Sequence, residues 1–444
     1  MSADGSPNGP DDAARDSSGG AAGSAPGPAV SRRGLLAAGA SALGGVAVGA
    51  AATAGVDRST PAAPGAAAGD AAQEGTDAQP AAMPLGGDKR REFWGEHQPG
   101  IIDPPQAHGV WVALDLVPGA DVTAFQRLMR IWTQDISQMM SGTAPFTDFE
   151  PEMTRTTASL SVTLGIGPRV FALRGVTQPR PPWLGPLPAF PAIDKLQDRW
   201  SGGDLLLQIC ADSPITVSHA QWVLTKEART IATVRWVQRG FRQGYAVTPP
   251  GETMRNLFGQ VDGTVNPRRG VDDSILWCGS DAPRWLQGGT TMVLRRIAMH
   301  LDTWEEADPV TRDTSLGRRQ HDGSPLTGKA ERDAPDLDAK DKLGLPVIDD
   351  FAHVRRSMPH RADRTDRFLR RPFNYDDPPE PGQLSNAGLL FIAYQSQLAQ
   401  FVEVQRRLAE GDLLNTWTTP IGSSVWAIPR GCRQGELLAQ DLWV

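Results

Sequence analysis

Cysteine is scarce in this chain: Cys210, Cys278 and Cys432 are the three among 444 residues. They are too few and too dispersed for a disulfide scaffold, and no two have the spacing of a zinc site. Aromatic residues are missing from positions 1–85, which are mostly Ala, Gly, Ser, Pro and Asp; all 13 Trp, 13 Phe and 3 Tyr fall between 93 and 443. A stretch without large side chains buries little apolar surface, so the folding unit is the remaining ~350 residues, ample for a large core. An excess of positive charge is also lacking. Lys and Arg total 44 against 51 Asp and Glu, a net charge of −7, which excludes a dedicated nucleic-acid binder with its basic face. The seven histidines (His97, His108, His219, His300, His321, His353 and His360) form no His-Glu-x-x-His and no clustered pair, which argues against a zinc hydrolase. Beyond position 56 no apolar run is long enough to span a membrane.

Within the aromatic-free stretch, Ser31-Arg32-Arg33-Gly34-Leu35-Leu36 opens a weakly apolar run of Ala and Gly that ends near Val56. A twin arginine ahead of such a run is the pattern of a twin-arginine export signal. Ala and Gly partition too weakly into lipid to favour a membrane anchor. Residues 1–56 are therefore expected to engage the twin-arginine export machinery, which sends the protein to the cell envelope or outside the cell. That route carries folded proteins, often with a cofactor already inserted. Residues 57–85, rich in Ala, Gly and Pro, are expected to be a flexible linker.

The remainder reads as one layout used twice. Alternating Val110, Val112, Leu114 and Leu116 predict a strand over 108–117. Asp121 can cap a helix whose Phe125, Leu128, Met129, Trp132, Ile136 and Met139 share one stripe. Further strands are predicted over 159–166, 204–211 and 231–238, with a helix opened by Ser213-Pro214 and running to about 228. The order β-α-β-β-α-β is the split ferredoxin-like unit. It recurs with strands over 290–299, 388–394 and 423–428 and helices over 303–308 and 397–408. This second copy carries a polar insertion at about 310–385, rich in Arg, Asp and Pro, and a loop that long is usually functional or disordered. The expected class is α+β: two ferredoxin-like βαββαβ modules, over 86–250 and 251–444, forming a β-sandwich core with peripheral helices.

Three segments hold candidate chemistry. Gly259-Gln260-Val261-Asp262-Gly263, followed by Thr264-Val265-Asn266-Pro267, reads as a turn, although glycines around an Asp also let backbone approach a flat ligand. His353 stands in Asp349-Asp350-Phe351-Ala352-His353-Val354-Arg355-Arg356, where a lone His reads as an exposed salt-bridge partner. Arg370-Arg371-Pro372-Phe373-Asn374-Tyr375-Asp376 reads as a solvated basic turn.

Together with Phe93-Trp94-Gly95-Glu96-His97-Gln98-Pro99-Gly100-Ile101, Leu164-Gly165-Ile166-Gly167-Pro168, Gly202-Gly203-Asp204-Leu205, Gly317-Arg318-Arg319, Leu389-Leu390-Phe391-Ile392-Ala393-Tyr394-Gln395 and Gln405-Arg406-Arg407-Leu408, these segments resemble the dye-decolourising (DyP-type) haem peroxidases. The likeness is to the twin-arginine-exported branch related to bacterial deferrochelatases. It implies two ferredoxin-like modules and one non-covalent haem b per chain; no Cys-x-x-Cys-His for covalent attachment is present. By position it implies His353 as the proximal iron ligand, Asp262 as the distal aspartate, Arg371 as the distal arginine, and Gly263 and Thr264 beside the cofactor. The chain departs from the family at Pro372-Phe373, where Gly-Tyr is frequent, and at Trp417, where Tyr is usual.

The implied activity is reduction of hydrogen peroxide and oxidation of aromatic or dye-like one-electron donors through a ferryl intermediate. An iron-bound imidazole needs its other N–H held by a carboxylate or carbonyl; Asp412, Asp349 or Asp350 could serve. Asp262 would move the peroxide proton and Arg371 would stabilise charge on the departing oxygen. Bulky dyes cannot reach a buried haem edge, so Trp417, Tyr375, Tyr394 and Trp426 are candidate relays. The alternative reading is a haem- or iron-handling protein with little turnover, which needs His353 but neither distal group.

Overall fold

The computed structural model describes residues 86–249, 251–358 and 366–444. The twin arginines, the Ala/Gly run, the 57–85 linker and His360 lie outside these residues. Among the described residues nine strands build the core: β1 (His108–Leu116), β2 (Ser161–Ile166), β3 (Leu205–Ala211), β4 (Ala232–Phe241), β5 (Thr290–Met299), β6 (Leu369–Arg370), β7 (Phe373–Asp377), β8 (Asn386–Gln395) and β9 (Thr418–Ile428).

The first four are antiparallel in the order β4-β1-β3-β2. In the second half the order is β9-β5-β8-β7, with β6 and β7 following one another along the same edge of β8. Both are the strand order of a ferredoxin-like unit. The two sheets join edge to edge through single backbone pairs, Ile166 with Ala427 and Phe241 with Asn374, and so close on themselves. The chain ahead of β1 stitches one of these seams. Gln98 donates to the carbonyls of Leu164 and Pro429 (3.1 and 2.9 Å) and accepts from the N–H of Leu164 (2.7 Å).

Strand alternation sorts the side chains into two cores. Trp111 and Ala113 of β1 point into the space between the sheets, with Leu206, Trp236, Met292, Ile392, Tyr394 and Trp426. Val110, Val112 and Leu114 face the helices instead, where Phe125, Leu128, Trp132 and Ile136 cover them. The Val122–Ser141 helix starts where Asp121 accepts from the N–H of Ala124 (2.9 Å) and stops at Gly142, whose φ of 78° suits glycine. The Pro214–Ala228 helix is capped in the same way by Ser213.

The second strand of the C-terminal half was not foreseen. It lies at 369–377, inside the segment read as a polar insertion and a solvated turn. Pro372 has no N–H to give a ladder and splits the strand into β6 and β7. Yet Leu369, Arg371, Phe373 and Tyr375 all point inward and are buried. An inward arginine in an apolar row hides the period-2 pattern from a sequence reading.

Candidate active site

His353 is the first residue of the His353–Ser357 helix. Asp349 shapes the entry by accepting from the N–H of Phe351 (2.8 Å). That helix packs on the Leu398–Gly411 helix, and Arg407 of the latter braces it by donating to the carbonyls of Arg356 and Met358. Where the Leu398–Gly411 helix ends, Asp412 turns both carboxylate oxygens to use. Oδ1 accepts from the N–H of Leu414 (2.9 Å), and Oδ2 accepts from Nδ1 of His353 (2.6 Å). Asp350 pairs with Arg355 instead. Of the three carboxylates considered, Asp412 is therefore the one on the imidazole.

Burial works against a charge on His353 and Asp412 works for it; the balance leaves its pKa above the ordinary imidazole value. The charges of Arg370 and Asp262 also reach the ring, with opposite signs. With Nδ1 committed to Asp412, Nε2 is the nitrogen free to bind a metal, and among the described residues it has no hydrogen-bond partner. Gly317, in the turn after the Pro309–Leu316 helix, lies against this element: at φ 77°, a Cβ there would sit 2.5 Å from Cγ1 of Val354.

Asp262 sits on the glycine-flanked loop, held by its N–H on the carbonyl of Met254 (2.8 Å). Gly263 follows at φ 118°, a backbone state that excludes most side chains. Oδ1 of Asp262 lies 3.4 Å from Nη1 of Arg370. Both line a cleft of about 420 Å³, together with Gly263, Asn266, Arg242, Arg332 and the 104–106 segment. Thr264 is half-buried and does not line it. His353 does not line it either; its link to the pair is electrostatic.

Arg371 is not at this site, which corrects the expectation from sequence. It is 1 % exposed, between the sheets, and donates to the carbonyls of Ile101 and Asp103 and to Oε1 of Gln106 (2.6 Å). Consecutive residues of a strand face opposite ways. Once Leu369, Phe373 and Tyr375 turn inward, Arg371 turns inward with them and Arg370 turns out to Asp262. The residues of the polar insertion thus supply both the histidine and the guanidinium, while Asn266, read as part of a turn, grips Arg370 through its backbone.

The arrangement fits a haem group. A histidine with its rear nitrogen on a buried carboxylate is the form of an axial ligand. The guanidinium groups of Arg242, Arg332 and Arg370 in the cleft suit the carboxylate edge of a porphyrin. A ferredoxin-like pair of modules with such a histidine and an Asp/Arg pair defines a haem-dependent redox enzyme.

The comparisons with known proteins agree. The pattern for the N-terminal part of Dyp-type peroxidases matches residues 98–242 and that for the C-terminal part matches residues 253–433. The chain is 36 % identical over 388 residues to the dye-decolorizing peroxidase of Thermobifida fusca, covering 82 % of this chain and 89 % of that one. It is 34 % identical over 377 residues to the deferrochelatase of Yersinia pseudotuberculosis, covering 80 % and 85 %. The crystal structure of a DyP-type peroxidase from Cellulomonas bogoriensis superposes with a TM-score of 0.79 at 48 % identity, covering 81 % and 99 %. The chain belongs to the Dyp-type peroxidase family. It is a haem peroxidase, an oxidoreductase acting on hydrogen peroxide.

Proposed function

We propose that His353, held by Asp412, would carry the haem, and that Asp262 and Arg370 are the groups that activate peroxide. The observation that carries this reading is the Asp262–Arg370 contact at 3.4 Å, whose charges are both felt at His353. Haem, when bound, supplies an iron that exchanges electrons with peroxide. Asp262 would take a proton from one peroxide oxygen and return it to the other, departing oxygen. The departing oxygen gains negative charge as the O–O bond breaks, and Arg370 would hold a fixed positive charge beside it. Arg370 takes no part as a base, because guanidinium stays protonated.

The donors are aromatic or dye-like molecules too large for the cleft, and Trp417 is the strongest relay candidate. It is half-buried and packs edge-on against Trp304 at 5.0 Å, which stacks on Phe258 at 4.5 Å. Tyr375 is weaker: among the described residues its buried hydroxyl has no acceptor, and Arg296 lies 4.2 Å over its ring. Loss of an electron from a tyrosine calls for an acceptor of its proton, and a guanidinium is none.

Residues 1–56 act in this reading as a twin-arginine export signal, 57–85 as a linker, and 86–250 and 251–444 as the two modules. The protein then works outside the cytoplasm. Haem or iron handling, as the name of the Yersinia relative suggests for that protein, is the second reading; it needs no Asp262–Arg370 pair. The visible spectrum of the purified protein and its stopped-flow reaction with hydrogen peroxide decide between them. The peroxidase reading expects a Soret band that shifts within milliseconds to seconds of mixing and returns when a donor dye is oxidised. A stable ferric spectrum in excess peroxide would overturn it.

A further inference from the structure

We infer that Asn266 is a positioning residue that sets Arg370 against Asp262 by replacing a missing β-strand partner. The inference rests on the peroxidase reading above. The N–H and carbonyl of Arg370 point away from β8: on that side it is Arg371 that bonds, through its N–H to the carbonyl of Ile392 (2.9 Å). The free edge of β6 therefore presents one donor and one acceptor. The side-chain amide of Asn266 meets both. Nδ2 donates to the carbonyl of Arg370 (2.8 Å), and Oδ1 accepts from its N–H (2.9 Å). A primary amide offers a donor and an acceptor in one plane, whereas an ionised carboxylate of the same length only accepts.

The consequence for the site lies in the shortness of the loop. Asp262 and Asn266 are four positions apart, and the same loop touches the head of Arg370 as well: Nη1 faces Oδ1 of Asp262 and Nη2 donates to the carbonyl of Val265 (3.2 Å). Root and head of the arginine are thus both measured from the loop that carries the carboxylate. A long flexible side chain becomes a fixed charge because its backbone cannot slide along the loop. On the far side, Arg242 donates to the carbonyl of Pro372 (2.7 Å) and steadies the next turn of chain.

The test is a mutant cycle on the haem-loaded full chain. Asn266→Ala and Asn266→Asp are each made in the native background and in Arg370→Ala. Asn266→Asp keeps the shape and the acceptor but has no donor for the Arg370 carbonyl. Haem occupancy and melting temperature are measured first, then the rate constant with hydrogen peroxide and its pH profile. Misplacing a catalytic group by about 1 Å costs up to about 10²-fold. The expected result is a loss of about tenfold or more from either Asn266 variant, with haem retained, shrinking to less than about twofold when Arg370 is already Ala, because residues that act through one group couple instead of adding. Equal losses in both backgrounds, no loss in the native background, or loss of haem from both variants would overturn the inference. If the native protein does not react with peroxide, the peroxidase reading fails first; if it reacts and Arg370→Ala slows it while Asn266 variants do not, this inference alone fails.

Discussion

Arg370 and Arg371 are neighbours in sequence with guanidinium groups on opposite faces of one strand: the first meets Asp262 and the second is sealed between the sheets on the carbonyls of Ile101 and Asp103. Two arginines of identical chemistry therefore have unlike tasks, and their variants should fail in unlike ways.

Replacing Arg370 with Ala is expected to slow the peroxide reaction by about 10²–10³, the usual loss for one preorganised charge donor, with haem still bound. It should slow it more than Asp262→Ala does, because water can relay a proton but cannot supply fixed positive charge. Arg371→Ala should instead lower the melting temperature, since its partners would be left buried without donors at about 1–3 kcal/mol each. Stopped-flow mixing and thermal melts of the three variants separate these outcomes.

Asp412→Asn removes the anionic partner of His353 while keeping its size. Loss of such a partner typically costs about 10–100-fold in metal affinity, so haem titration should show weaker binding, and the reduction potential should rise because the ligand donates less strongly. His353→Ala should abolish the native Soret spectrum. An unchanged spectrum with full haem occupancy would remove His353 as the ligand.

A pH effect is expected at a second pair of carboxyl groups. Glu227 and Asp135 meet between two helices, and Oγ1 of Thr147 lies 2.6 Å from Oε1 of Glu227 and 3.4 Å from Oδ2 of Asp135. Burial, then Asp135, pushes the Glu227 pKa from 4.5 to about 8. A carboxyl with a raised folded pKa holds more protons folded than unfolded, so its contribution is full below the unfolded value and is lost as pH rises through the folded one. Stability should fall between these two values, and Glu227→Gln should flatten the fall. Melting curves across that range test it; parallel curves for both proteins would refute it.

Trp417→Phe should reduce turnover of a bulky dye several-fold and leave the peroxide rate unchanged. Tyr375→Phe should alter neither, given the cation over its ring. Steady-state dye oxidation beside single-turnover peroxide kinetics distinguishes the two.

How much was legible varied with the physics of each element. Strands such as β1 and β5, and helices with a cap and an apolar stripe, showed themselves through local periodicity. β6 and β7 did not, because Pro372 breaks the ladder and a buried Arg371 looks like a surface residue in a string of letters. Asp262 and His353 were singled out by the family resemblance, their segments alone reading as a turn and a salt-bridged surface, but the choice between Arg370 and Arg371 depends on which way a strand faces, and that is fixed by packing across the barrel. Asn266 left only the signal of a turn, since its use depends on an edge supplied from 104 positions away.

The single-pair seams at Ile166–Ala427 and Phe241–Asn374 bear on how the two halves can exist apart. Each half on its own would show two raw strand edges, β2 and β4 in one, β7 and β9 in the other. Open edges recruit strands from other molecules. Cutting the chain between the halves should thus yield fragments that associate with copies of themselves, and mixing both fragments should suppress that association as each edge finds its proper neighbour.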